Sequence, residues 1–414
     1  HVPEDEGYEL HPLLKTAIST RHRGDASAAA ASLASAYERA RLPMRAARWY
    51  LRAGDTAAAN AAYNQQTFAQ IETVTSNDAT AAAATLDERA LVENLAIFNV
   101  AAVEQLFIHD YERWFAMAEE ALRRAPDEVP SEVRAFAINM LVSRYAYFGR
   151  FDDARRVLNA QSARFGSQPE YQPVLALCDA FVRGTHDEFV DLAELRVKLN
   201  AMLLDPYGRA AFASMASYVY AVQGDWPAAR VELEVMIDTL EHAKQDMHLE
   251  AALMGGAFFA WLYGDNERFD DWFGRHEQLA ATDDGAFFTR CVRDAQSPAT
   301  GECSIAVVRY FSYLIASARA RDAGAARWYA RHALEDARRT QRPFNCALAH
   351  LALGFLHPED AQRHFTDAAA AAANVGWPRV GAAVAAIIAG DEDAGMLSAF
   401  RAHYQHGPIT VTSR

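Results

Sequence analysis

One kind of turn recurs along this chain and restricts its fold more than any other feature. Gly149 is followed by Arg-Phe-Asp-Asp-Ala154, Gly224 by Asp-Trp-Pro-Ala-Ala229, Gly264 by Asp-Asn-Glu-Arg-Phe269, and His109 by Asp-Tyr-Glu-Arg-Trp114. Each is a helix stop, a polar cap, and then a small or aromatic residue five positions on, which is the punctuation expected between two helices. Between the turns apolar residues return at helical spacing, as in Leu91, Leu95, Phe98, Ala102 and Leu106, or Ile138, Leu141, Val142 and Tyr145. Ala and Leu dominate these stretches, and both are good helix formers. Only short terminal segments alternate apolar with polar, so the pattern predicts an all-α fold.

The turns are also spaced regularly. Gly184, Gly224 and Gly264 lie 40 residues apart, and Gly149 precedes Gly184 by 35. The run from Asp110 through Trp114 and Ala121 to Pro126 resembles the second helix of a tetratricopeptide repeat (TPR), a unit of 34 residues in its standard form. Weaker copies occupy residues 42–53, 325–333 and 358–368, and residues 184–189 read as a degenerate one. The expected fold is a right-handed superhelical solenoid of TPR-like helix hairpins, each about 40 residues long. Small Ala154 and Ala229 suit close helix crossings, and Tyr145 and Tyr220 suit the space between layers. A non-repeating α-helical domain with similar turns is the alternative. One interval, from Gly264 to Asp322, runs to nearly 60 residues, and its excess at 282–304 reads as a surface loop or an inserted helix.

Composition narrows the function. The 414 residues carry 40 basic and 54 acidic side chains, a net charge of −14, and only three of the basic residues are lysines. Such a chain is a poor partner for nucleic acid, which is held by clustered positive charge. The longest apolar stretches, such as 380–389, fall short of the ~20 residues that span a bilayer. No basic-then-apolar leader opens the sequence. A cytoplasmic location and no membrane partner are therefore expected. Cys178 and Cys346 read as small core residues. Cys291 and Cys303 flank a loop at 294–301 and would pair only in an oxidising compartment.

The N-terminal part carries a more specific likeness. Tyr8-Glu-Leu-His-Pro-Leu-Leu14 is followed by Leu33-Ala-Ser-Ala-Tyr-Glu-Arg-Ala and then by Ala-Gly-Asp55. Across residues 8–62 this resembles the junction between the winged-helix and helical sensor regions of MalT/LuxR-type transcription regulators, members of the STAND class of signalling ATPases. The resemblance implies that residues 1–24 are the remnant of a preceding winged-helix domain or a linker. Residues 25–406 would be the sensor domain, and 407–414 a linker or the start of a following domain. It further implies that the partners are a small-molecule inducer or regulatory protein together with the regulator's own ATPase and DNA-binding domains. No G-x-x-x-x-G-K-[ST] loop occurs in the chain, and no recognisable helix-turn-helix stands at its C-terminus, where MalT-type regulators carry one.

A search for chemistry turns up nothing that predicts an enzyme. There is no H-E-x-x-H, no C-x-x-C and no G-x-S-x-G. His357 and His364, beside Glu359 and Asp360, read as a solvated helix start, and His242, Asp246 and His248 as a polar surface cluster. No metal and no cofactor are expected. Acidic pairs such as Asp152-Asp153 read as helix N-terminal charge, and Arg123-Arg124 as helix C-terminal charge.

What remains is a groove. In stacked TPR hairpins the first helix of each pair lines the concave face, so its positions can be read from each turn. Before Gly149 they include Phe136, Asn139 and Ser143; before Gly224, Ser214 and Tyr218; before Gly264, Met254, Phe258 and Trp261. Before His109 there is Asn99, and before Leu356 there are Phe344 and His350. This set mixes aromatic and sulfur-bearing side chains with a few polar ones and has no Lys or Arg. It suits a small organic ligand or an apolar helix better than a peptide carboxylate. The same aromatics equally suit packing between repeats. The expected function is effector sensing in a bacterial regulator, with a TPR adaptor that binds only proteins as the alternative. An α-solenoid enzyme finds no support.

Overall fold

The structure is a computed structural model that describes residues 26–41, 43–63, 88–102, 110–199, 206–242, 246–279, 282–295, 303, 305–375, 377–391 and 393–405. Both terminal segments of the domain reading, 1–24 and 407–414, lie outside these residues, as does the His109 turn. Among the described residues there is no strand. They form twenty-one α-helices and one 3-10 turn, in two compact units, His1–Ala137 and Ile138–Arg414.

The recurrent turn has a simple backbone explanation. Gly54, Gly224, Gly264 and Gly390 all take positive φ, between 81 and 88° for three of them and 73° for Gly264. Each ends a helix, and the residue after it donates its N–H five positions back, as in Asp225 N to Tyr220 O at 2.9 Å and Asp265 N to Ala260 O at 2.9 Å. A left-handed residue at this place is the usual helix terminator, and glycine takes it without a Cβ clash. After Gly54, Gly224 and Gly264 the aspartate that follows then caps the next helix. Asp225 Oδ1 accepts from Ala228 N at 3.2 Å, and Asp55 Oδ1 from Ala58 N at 2.9 Å. Two residues thus stop one helix and start another, which forces the two to pack side by side.

The first unit contains α1 (Ala26–Arg39), α2 (Pro43–Ala53), α3 (Thr56–Tyr63), α4 (Glu88–Glu93), α5 (Leu95–Ala102) and α6 (Tyr111–Arg124). The α1–α2 pair is tied by Ser27 Oγ donating to Ala53 O at 2.7 Å and Tyr50 Oη donating to Glu38 at 2.8 Å. Trp114, fully buried, packs edge-on to Phe115 and against Phe98. Helix α7 (Ser131–Tyr147) carries the boundary between the units.

The second unit continues with α8 (Phe151–Phe165), α9 (Gln172–Thr185), α10 (Leu192–Lys198), α11 (Pro206–Gln223), α12 (Trp226–His242), α13 (Asp246–Tyr263), α14 (Asn266–Leu279) and α15 (Asp283–Arg293). It closes with α16 (Ala306–Arg319), α17 (Ala323–Arg339), α18 (Pro343–Leu356), α19 (Ala361–Ala373), α20 (Pro378–Ala389), the 3-10 turn Gly395–Leu397 and α21 (Ser398–Gln405). The pairs α11–α12, α13–α14, α16–α17 and α18–α19 are hairpins stacked in chain order. Ala154, Ala229, Ala330 and Ala333 have no exposed surface, so small residues do occupy the tightest crossings. Around them Phe258 stacks on Phe311 with centroids 4.0 Å apart, and Trp272 and Tyr310 fill the layer between hairpins.

Two sequence expectations change here. Gly184 is not a turn residue. It lies inside α9, where a Cβ would come within 2.5 Å of Val219 Cγ2, so it is small because α11 packs on it. The turn falls three residues later, at Asp187, which adopts φ 65°. The long interval at 282–304 resolves in favour of the inserted helix, α15. Thr282 caps it through Gly285 N at 3.0 Å and also donates to the buried Glu250 carboxylate at 2.6 Å. All four cysteines are free, with Cys178 and Cys291 buried. No helix among the described residues is long and apolar enough to cross a membrane.

Candidate functional site

The row of first helices in the second unit, which the solenoid expectation makes the inner row, is not bare. The first helices of four successive hairpins, α11, α13, α16 and α18, all contact the segment formed by α20, the 3-10 turn and α21. The chain's own C-terminal helices therefore lie along the row of residues from which a groove was read. Trp261 stacks on the His403 ring, with centroids 4.9 Å apart and planes at 10°, while His403 Nε2 lies 2.8 Å from Trp261 O. Phe400, with no exposed surface, meets Trp261 edge-on. Tyr404 Oη contacts Ser317 Oγ at 2.7 Å and donates to Leu314 O at 3.1 Å. Trp377 donates its indole N–H to Glu188 O at 3.0 Å and packs edge-on to Phe344. Arg379 reaches Gly224 O at 3.3 Å.

A buried polar seam lies beside this segment and joins the beginning of the unit to its last complete hairpin. Arg342 is fully buried. Its Nη2 donates to Ala146 O at 3.1 Å and its Nη1 to Tyr218 Oη at 3.2 Å, and the guanidinium sits 5.3 Å from the Tyr218 ring centroid. Asp187 faces the same junction. Its Oδ2 accepts from Phe344 N at 2.7 Å, so it caps α18 from a loop 157 residues earlier in the chain. Helix α18 has no cap of its own, because Arg342 stands at its N-cap and Pro343 follows. Gly149, at φ 72°, lets the backbone approach Thr340 so closely that a Cβ would fall 2.6 Å from Thr340 Cα.

The seam is electrostatically tense. Among the described residues, Asp187 Oδ1, Arg342 Nε and Asn345 Nδ2 have no hydrogen-bond partner. Burial pushes the Asp187 carboxyl up to about 7, against the pull of the Phe344 N–H and the Arg342 charge. Burial likewise pushes Tyr218 up to about 12, although Arg342 pulls it down. Tyr147, also raised by burial, shares a hydrogen bond with Ser214. Such a cluster can hold α18 in one place, and it can exchange a proton near neutrality.

The residues read from the sequence fall into three groups. Tyr218, Met254, Phe258, Trp261 and Phe344 are buried, and of these Tyr218, Trp261 and Phe344 touch the seam or the C-terminal segment directly. Phe258 faces the aromatic layer with Phe311. Ser143, Ser214 and Asn139 are half-buried: Ser143 Oγ donates to Met140 O at 3.3 Å, and Asn139 Oδ1 accepts from Cys178 Sγ at 3.7 Å. Asn99 belongs to the first unit, where its Nδ2 donates to Val133 O at 2.9 Å. Phe136 is half-buried near the end of that unit. His350 is buried, with its Nδ1 3.2 Å from His364 Nδ1 on α19.

Sequence reasoning missed Asp187, Arg342, Trp377 and His403. One signal was available: a helix start reading Arg-Pro, with no Ser, Thr, Asp or Asn to cap it, calls for a cap from elsewhere in the chain. No family model matches the chain, and neither a curated protein nor a solved structure matches it.

Proposed function

We propose that this chain is the effector-sensing, TPR-like region of a bacterial ATP-dependent transcription regulator of the MalT/LuxR type, that it performs no catalysis, and that its hairpins wind as a right-handed superhelix. The likeness of residues 8–62 supports the family. The observation that carries the sensing role is the seating of α20 and α21 on the inner row through contacts that another molecule can replace. These are aromatic stacking on Trp261 and single hydrogen bonds to the backbone carbonyls of Glu188, Gly224 and Trp261. An inducer or regulatory protein that binds better when these helices have shifted drives them to shift, and by linkage the shift strengthens its binding.

The test is thermal unfolding of the 414-residue chain against a broad metabolite panel, with limited proteolysis of the C-terminal helices as a second readout. A ligand at 100 times its dissociation constant adds about 2.7 kcal/mol. A dose-dependent rise with one metabolite class, together with altered cleavage near residue 390, is the expected result. A flat panel on a well-folded protein overturns the small-molecule reading. It favours the adaptor instead, which has its own support in Val231 and Val235, exposed one turn apart on α12.

A further inference from the structure

We propose that His350, His364 and Asp367 form a binding site for one divalent transition-metal ion of the zinc class, stapling α18 to α19. The site is independent of the sensing role proposed above. His350 projects from α18, and His364 and Asp367 lie three residues apart on one face of α19, so the helix hairpin brings two imidazoles and a carboxylate together. One ligand atom from each of the three falls within 4.8 Å of the others. The two imidazoles meet through the same atom type, His350 Nδ1 lying 3.2 Å from His364 Nδ1. The carboxylate follows, with Asp367 Oδ2 3.8 Å from His350 Nδ1.

These distances are informative. A tetrahedral zinc ion with Zn–N bonds of about 2.0–2.1 Å holds its ligand nitrogens about 3.3–3.4 Å apart. The two Nδ1 atoms, 3.2 Å apart, stand close to that separation, and the carboxylate, 3.8 Å from His350 Nδ1, must move in to complete a His2Asp set. Zinc takes neutral imidazole and carboxylate together, and three protein ligands leave a fourth position for water. The surroundings meet these needs. Both rings are nearly buried, and Asp367 is 47% exposed, so the site opens to solvent on its carboxylate side. Burial disfavours the charged form of both rings, and each neutral ring keeps one N–H, so binding through both Nδ1 atoms requires the protons to sit on Nε2. Of the neighbouring cations, Arg363 is paired with Asp360 at 3.7 Å. His364 was paired with His357 in the sequence because both flank one helix start. In the fold it faces His350 on the helix before, a pairing that the fourteen-residue interval concealed.

The ion would have a structural consequence. Helix α18 begins at the Arg342 seam and α19 is its hairpin partner, so a bridge between them stiffens the hairpin that closes the unit.

The experiment is calorimetric titration of the full, chelator-stripped chain with Zn2+, repeated with Co2+ for its tetrahedral absorption bands. One ion per chain is expected. His364→Ala should weaken binding about tenfold or more, and Asp367→Asn should weaken it and abolish the tetrahedral bands. Asp367 is half exposed, so D367N retains the fold even where H364A does not; circular dichroism checks both. Cys346→Ser, one turn before His350, should leave binding unchanged. The proposal is overturned if the wild-type chain takes up no zinc in excess. It is equally overturned if D367N and a folded H364A bind zinc as the wild type does, and the Nδ1–Nδ1 contact is then a hydrogen bond between neutral imidazoles.

Discussion

Replacing Asp187 with Asn should make the protein more stable than the wild type at pH 8, and the advantage should shrink or reverse in acid. The carboxyl moves from 3.8 to about 7 in the folded chain. At full burial that displacement is worth about 4 kcal/mol. The sign follows from proton counting. Between about pH 4 and 7 the folded chain keeps a proton on Asp187 that the unfolded chain releases, so stability from this group falls as pH rises through that window and levels off above it. Asparagine cannot ionise, and its side-chain oxygen can still accept the Phe344 N–H that Asp187 accepts at 2.7 Å. Local relaxation and water entry reduce the figure, so the stability difference between D187N and wild type should shift by about 2–3 kcal/mol between pH 4.5 and pH 8. Urea unfolding of both proteins at the two pH values, followed by tryptophan fluorescence, measures it. If the two proteins respond to pH in parallel, Asp187 is ionised throughout and the reasoning fails.

Other outcomes follow from the same contacts. Gly149→Ala and Gly54→Ala both place a Cβ at positive φ, but only the first meets backbone, at Thr340, whereas nothing lies within 4 Å of the second. The first should cost more than about 3 kcal/mol and the second about 1 kcal/mol, as read from thermal melts. Phe400→Ala removes a fully buried ring against Trp261 and should cost about 3–5 kcal/mol while speeding proteolysis of α21; unchanged cleavage would count against the seating of that helix. Burial pushes the Cys178 and Cys291 thiols up to about 12, so both should react with a thiol reagent at pH 8 only as fast as the chain unfolds. A rapid reaction by all four cysteines would contradict their placement.

Much of the local architecture was legible because its cause is local. The Gly-Asp pairs at 54–55, 224–225 and 264–265 carry their own reason in two residues, one that accepts positive φ and one that caps. Gly184 misled because glycine has a second use, close packing, and the sequence does not distinguish Val219 above a helix from a turn within it. Register picked out Tyr218 and Trp261 as facing one side of their helices, but it could not say what packs against them. Their partners Arg342 and His403 lie 124 and 142 residues away, and helical periodicity carries no information about contacts at such separations. The His350–His364 pair escaped for a related reason: its residues sit on opposite sides of a hairpin turn and share no motif spacing.

The Arg342–Ala146 bond spans 196 residues, in a stack whose other contacts mostly join neighbours. A linear stack can fold hairpin by hairpin as it leaves the ribosome, but this closing bond cannot form until its second partner has been made. At about 5–20 residues per second, roughly 10–40 seconds separate the synthesis of the two ends. Until then the Tyr218 hydroxyl lacks its Arg342 partner, and the Ala146 carbonyl has only the local Gly149 N–H at 3.0 Å. A chain that stops short of residue 342 lacks the one guanidinium that joins Ala146 to Tyr218, so the two ends of the stack are tied together only after most of it has been made.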